Sequence, residues 1–159
     1  MMGDEQTAAN TNEQRNINMP LLNILLVEDN PADAYLTRLA LQEANFCNDL
    51  HVVEKGEHAL SFLRRHEPYT HVGRPDLIIL DLNLPRMNGL DVLRECKTDP
   101  ALCTIPVVIF STSSAEQDIT QAYLLGAVQY FVKPNDLQEC LRFGHRLAQV
   151  WHRVTGASE

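Results

Sequence analysis

Three short apolar runs constrain this chain more than any other feature, because each stops at a residue able to do chemistry. Leu21-Leu22-Asn23-Ile24-Leu25-Leu26-Val27 ends at Glu28-Asp29. Leu77-Ile78-Ile79-Leu80 ends at Asp81, and Val107-Val108-Ile109-Phe110 ends at Ser111. Nearly continuous aliphatic runs of this length suit strands covered on both faces, as in a parallel sheet. Two weaker strands are expected at Leu50–Glu54 and Val128–Val132, where polar interruptions fit the sheet edges.

Helical patterns fill the gaps. Asn30-Pro31-Ala32-Asp33 offers a cap, a proline at the first helical position and an acid in the first turn. Leu36, Leu39 and Ala40 are expected on the buried face of the first helix; Ala59, Leu60 and Leu63 on that of the second; Leu90, Leu93 and Cys96 on that of the third. Ile119, Ala122 and Tyr123 serve the fourth, which Gly126 ends, and the last starts after Pro134 and runs past Trp151. Strand and helix alternate five times. That order predicts an α/β fold: a doubly wound, five-stranded parallel sheet of flavodoxin-like order 2-1-3-4-5, with helices on both faces. Residues 1–20 read as a flexible polar tail, and residues 21–155 as one domain with an extended last helix.

Composition excludes several classes. Thirteen Lys and Arg against 21 Asp and Glu give a net charge of −8, and no basic patch interrupts it, so nucleic-acid binding is not expected. No window approaches the ~18 apolar residues of a membrane span, and the first residues lack the pattern of a signal peptide. A cytoplasmic protein is expected. Cys47, Cys96, Cys103 and Cys140 show no metal-ligand spacing and read as reduced thiols.

In such folds ligands bind beyond the carboxyl ends of the strands. There the first strand delivers Glu28 and Asp29, the third Asp81, the fourth Ser111 and Thr112, and the fifth Lys133. Three converging carboxylates repel one another and call for a cation. All-oxygen ligands favour a hard ion such as Mg²⁺. Asp33 is read as a helix-capping acid. Asp81 has no capping role, since the next helix begins near Gly89. A carboxylate facing a metal can accept a phosphoryl group, with a lysine and a hydroxyl holding the remaining oxygens.

Val27-Glu28-Asp29-Asn30, Asp81-Leu82-Asn83-Leu84-Pro85 with Gly89, Phe110-Ser111-Thr112-Ser113 and Tyr130-Phe131-Val132-Lys133-Pro134 occur in order. Together they resemble the receiver domains of two-component response regulators over about residues 22–150. The resemblance implies a phosphoacceptor at Asp81. It also implies Mg²⁺ held by Asp29, Asp81, the Asn83 carbonyl and, through water, Glu28, together with a cis Lys133–Pro134 peptide. The family's switch hydroxyl lies 22 residues before the lysine, which selects Ser111 over Thr112. Tyr130 matches its aromatic switch, with an ordinary edge-strand tyrosine as the competing reading.

The link from Arg64 to Pro75, the phrase from Arg74 to Pro85 and the long last helix resemble the single-domain regulators paired with cyanobacterial phytochrome-type histidine kinases. This resemblance implies a sensor histidine kinase as donor. It implies a signalling protein rather than an enzyme with an outside substrate, one that catalyses only its own phosphorylation and dephosphorylation. A shuttle in a branched phosphorelay is the alternative. A flavodoxin-like redox protein is disfavoured because Glu28-Asp29-Asn30-Pro31 would repel a flavin phosphate. An aspartyl phosphatase would need a second acid where Asn83 stands. The last helix carries two apolar stripes, Leu137, Leu141, Gly144, Ala148 and Trp151, and Phe143, Leu147, Val150 and Val154. One is expected on the sheet. The other, taken as the Phe143 stripe, is expected to form a homodimer.

Overall fold

The structure is a computed structural model that describes residues 21–156. The expected tail at residues 1–20 lies outside them. The elements run β1 (Leu22–Val27), α1 (Pro31–Ala44), β2 (Cys47–Val53), α2 (Gly56–Leu63), β3 (Leu77–Leu80), α3 (Gly89–Thr98), β4 (Val107–Ser111), α4 (Glu116–Leu124), β5 (Gln129–Val132) and α5 (Leu137–Thr155). The sheet has the order β2-β1-β3-β4-β5 and every pairing is parallel. The three apolar runs are the three inner strands, and the two polar-interrupted ones are the edges, as expected.

Alternation along the inner strands sorts the core into two layers. Leu25, Val27, Ile78, Leu80, Val107 and Ile109 face α2, α3 and α4. Ile24, Leu26, Leu77, Ile79, Val108 and Phe110 face α1 and α5. Successive strand side chains point to opposite faces, so an unbroken apolar run can satisfy both layers at once. The register pairs Val27 with Leu80 and Leu80 with Ile109, so the chain leaves β1 and β3 at one level.

Helix starts follow the local chemistry. The Asn30 side-chain oxygen accepts from the backbone N–H of Ala32 and Asp33, and Pro31 sits at the first turn. Asn88 caps α3 and Asp136 caps α5 in the same manner. Gly126 follows α4 at φ 109°, a conformation that disfavours a side chain. Among the described residues no helix is long and apolar enough to cross a membrane.

The structure corrects four expectations. The buried face of α1 is Thr37, Ala40, Leu41 and Ala44, with Leu36 and Leu39 only half-buried. The helix is rotated because it packs on α5 as well as on the sheet: Gly144 lies against the Ala40 carbonyl, where a Cβ would sit 2.1 Å from the oxygen. Second, Tyr123 is exposed; its hydroxyl instead accepts from the Tyr130 N–H.

The third correction concerns the dimer surface. Phe143, Leu147 and Val150 are core residues, and Phe143 stacks on Phe110 with ring centroids 3.8 Å apart. The other stripe meets α1 at Gly144. Of the two stripes, Leu137 at the start of the helix and Val154 at its end stay exposed. Phe143, Leu147 and Val150 are therefore taken up by the core of one chain and do not form the exposed dimer face expected of them. Fourth, the cis peptide among the described residues is Glu67–Pro68, not Lys133–Pro134; the two isomers of a prolyl bond are close in energy, so local packing selects between them. The long link before β3 is anchored, since Tyr69 packs against Phe62 and His51.

Candidate functional site

Parallel strands that end level put their following residues on one rim. Glu28 and Asp29 follow β1, and Asp81 follows β3 beside them; one carboxylate oxygen from each lies within 4.8 Å of the others. Glu28 and Asp81 are buried, and Asp29 is exposed. Gly89 makes room for this arrangement. A Cβ there would lie 2.3 Å from the Asp81 carbonyl oxygen, and its N–H donates to the Leu82 carbonyl. The turn after β3 can thus fold back under Asp81 only with glycine at this place.

Lys133 follows β5, and its backbone N–H donates to the Ser111 carbonyl. Its side chain is 8% exposed and reaches back across the rim. The ammonium donates to Glu28 Oε1, to Asp81 Oδ2 at 2.8 Å and to Asp33 Oδ2 at 3.0 Å. A buried ammonium is costly unless paired, and here it has three carboxylates. Burial alone would lower the Lys133 pKa, but its hydrogen bonds to Asp81 and Glu28 and their charges prevail and raise it. At Glu28 burial prevails instead. Burial pushes its carboxyl up to about 7, although Lys133 pulls it down. With Asp81 beside it, the pocket holds more negative charge than one ammonium neutralises, and it is disposed to take a further cation.

The remaining predicted residues surround this centre. Asp81 Oδ1 accepts from the Asn83 backbone N–H at 3.0 Å. The Asn83 amide donates to Thr112 Oγ1 at 3.0 Å and lies 3.5 Å from Ser111 Oγ. Ser111 is fully buried, and its Oγ accepts from the Ser113 N–H. Tyr130 is one step further out. It is buried, and its hydroxyl donates to the Ser113 carbonyl at 2.8 Å, so it touches the backbone that carries Ser111 rather than the carboxylates. Burial raises its phenol pKa.

Two roles escaped the sequence reading. Asp33, taken there as a helix-capping acid, is a third partner of Lys133. The available signal was its position four residues after Asp29, in the first turn of α1 on the side of the rim. Thr112 holds the Asn83 amide; it had been set aside in favour of Ser111. All ligand atoms offered by the cluster are oxygens, which suits a hard divalent ion.

The fold, the acidic rim and the lysine define a class, and comparison with known proteins agrees: residues 24–142 match the response regulator receiver domain, and the chain belongs to that family. Receiver domains bind a divalent metal. Among relatives, the chain is 37% identical over 128 residues to the response regulator Rcp1 of Synechocystis sp., covering 80% of this chain and 87% of that protein. It is also similar to the phosphorylated cyanobacterial phytochrome response regulator RcpA, at 40% identity and a TM-score of 0.78, over 82% of this chain and 94% of that one. The Mn²⁺-bound form of Rcp1 matches at 36% identity and a TM-score of 0.76, with the same coverage. The chain is thus a receiver-domain response regulator like the phytochrome regulators.

Proposed function

We propose that this receiver accepts a phosphoryl group on Asp81 from a sensor histidine kinase of the phytochrome type, in the cytoplasm and with Mg²⁺. The observation that carries this is the meeting of Lys133 with Asp81 and Glu28 at a rim where Asp29 adds a further carboxylate. The relatives support the donor: RcpA is a cyanobacterial phytochrome response regulator and RtBRR a bacteriophytochrome response regulator.

In the transfer, an Asp81 oxygen attacks phosphorus, and the bond from phosphorus to the donor nitrogen breaks with its electrons returning to the imidazole. Glu28, Asp29, Asp81 and the Asn83 carbonyl would hold Mg²⁺, which supplies positive charge against the phosphoryl oxygens. Lys133 orients Asp81 through Oδ2, and the Asn83 N–H fixes Oδ1. Ser111 presents a buried hydroxyl from the neighbouring strand, able to donate to a phosphoryl oxygen. Tyr130, bonded to the Ser113 carbonyl, would pass any shift of the Ser111 segment to the face made by α4, β5 and α5. The protein then acts by a change of surface and turns over no outside substrate.

A small phosphodonor with Mg²⁺ should add one acid-labile phosphoryl group per chain, and Asp81→Asn should abolish it. Labelling that survives in Asp81→Asn would refute the assignment.

A further inference from the structure

An ammonium has three N–H donors. In Lys133 all three have carboxylate partners, and these partners are not equivalent. The side chains of Glu28 and Asp81 are 2% and 5% exposed, whereas that of Asp33 is 34% exposed and comes from the first turn of α1. Glu28 and Asp81 belong to the acidic cluster; Asp33 does not. A phosphoryl group arriving on Asp81 takes over that residue's charge and inherits the one N–H that Asp81 Oδ2 holds; a second contact with Lys133 has to displace a partner, and the solvent-facing Asp33 is the one that water can replace at least cost.

Asp33 also adds charge. Its oxygen and that of Asp81 touch the same nitrogen, so they lie within about 6 Å of each other. Phosphorylation raises the charge at Asp81 from one negative to close to two within that range. We propose that Asp33 is a positioning residue that competes with the phosphoryl group for Lys133 and thereby holds the site toward its unphosphorylated state; this rests on the reading of Asp81 as phosphoacceptor. It sets how completely the switch is thrown, and Glu28 remains the fixed anchor of the ammonium.

Beryllofluoride, a stable mimic of a phosphoryl group, tests this by calorimetric titration of the full chain in Mg²⁺. Asp33→Asn should bind it about three- to tenfold more tightly than the unaltered protein, the size expected for one partly screened charge at that distance. The gain should shrink at high ionic strength. Asp33→Glu, which keeps the charge, should stay near the unaltered affinity and guards against a merely structural effect. Titration with Mg²⁺ alone should show no tightening in Asp33→Asn, so that the gain belongs to the phosphoryl position. Equal affinity in Asp33→Asn, weaker affinity, or equal tightening in Asp33→Glu each overturns the competition. If the unaltered protein takes no beryllofluoride and behaves as Asp81→Asn does, the phosphoacceptor reading falls and this inference with it. Binding in the unaltered protein without a gain in Asp33→Asn sinks this inference alone.

Discussion

Replacing Gly144 by alanine should destabilise the protein, although alanine is the better helix former. The new Cβ would lie 2.1 Å from the Ala40 carbonyl oxygen, 2.7 Å from its carbon and 3.0 Å from the Ala44 Cβ. The first two are backbone atoms of α1, so no side chain can rotate away. Relief requires α1 and α5 to separate by about 1 Å, which opens the layer holding Leu41, Phe143 and Leu147. Helix propensity returns at most ~1 kcal/mol, while overpacking of this kind costs typically 1–3 kcal/mol and more when backbone must move. A net loss of about 1–3 kcal/mol is expected, or a Tm lower by roughly 4–10 °C for a domain of this size. Gly73→Ala is the control, since nothing lies within 4 Å of its added Cβ; it should be neutral or slightly stabilising. Thermal and urea unfolding followed by circular dichroism would measure both. A Gly144→Ala protein as stable as the unaltered one would mean that the helices do not touch through their backbones and that the rotation of α1 has another cause.

Two further outcomes test the packing and the electrostatics. Phe143→Asp should cost more than about 3 kcal/mol, since it removes the stacked partner of Phe110 and buries a charge; near-normal melting combined with a changed sedimentation coefficient would restore the interface reading. The metal contribution should depend on pH through Glu28, whose folded carboxyl sits at about 7 against 4.5. A raised pKa means that the metal-free folded state holds the proton more tightly, so this group's contribution is fully present below 4.5 and is lost as pH rises through 7, up to about 3 kcal/mol. Mg²⁺ needs the ionised carboxylate, so the rise in Tm on adding Mg²⁺ should be larger at pH 8 than at pH 5.5. An increment independent of pH would place Glu28 outside the metal's influence.

The parallel α/β order and the chemical rim were legible along the chain, because both are local properties. An apolar run long enough to serve two layers marks an inner strand, and the residue after it must fall at the sheet's end. This placed Glu28, Asp29, Asp81, Ser111 and Lys133 before any coordinate. Ordered motifs then gave the family. Tertiary structure decided what depends on a neighbour far away in sequence. Both stripes of the last helix are apolar, so periodicity cannot say which one meets the sheet and which meets α1; the backbone contact at Gly144 does. Asp33 looks like any acid in a first helical turn until Lys133, 100 residues later, is brought to it. Local pattern encodes which face is apolar and which end is charged, but the identity of each partner is set only when the chain closes on itself, because packing and ion pairing act through space rather than along the backbone.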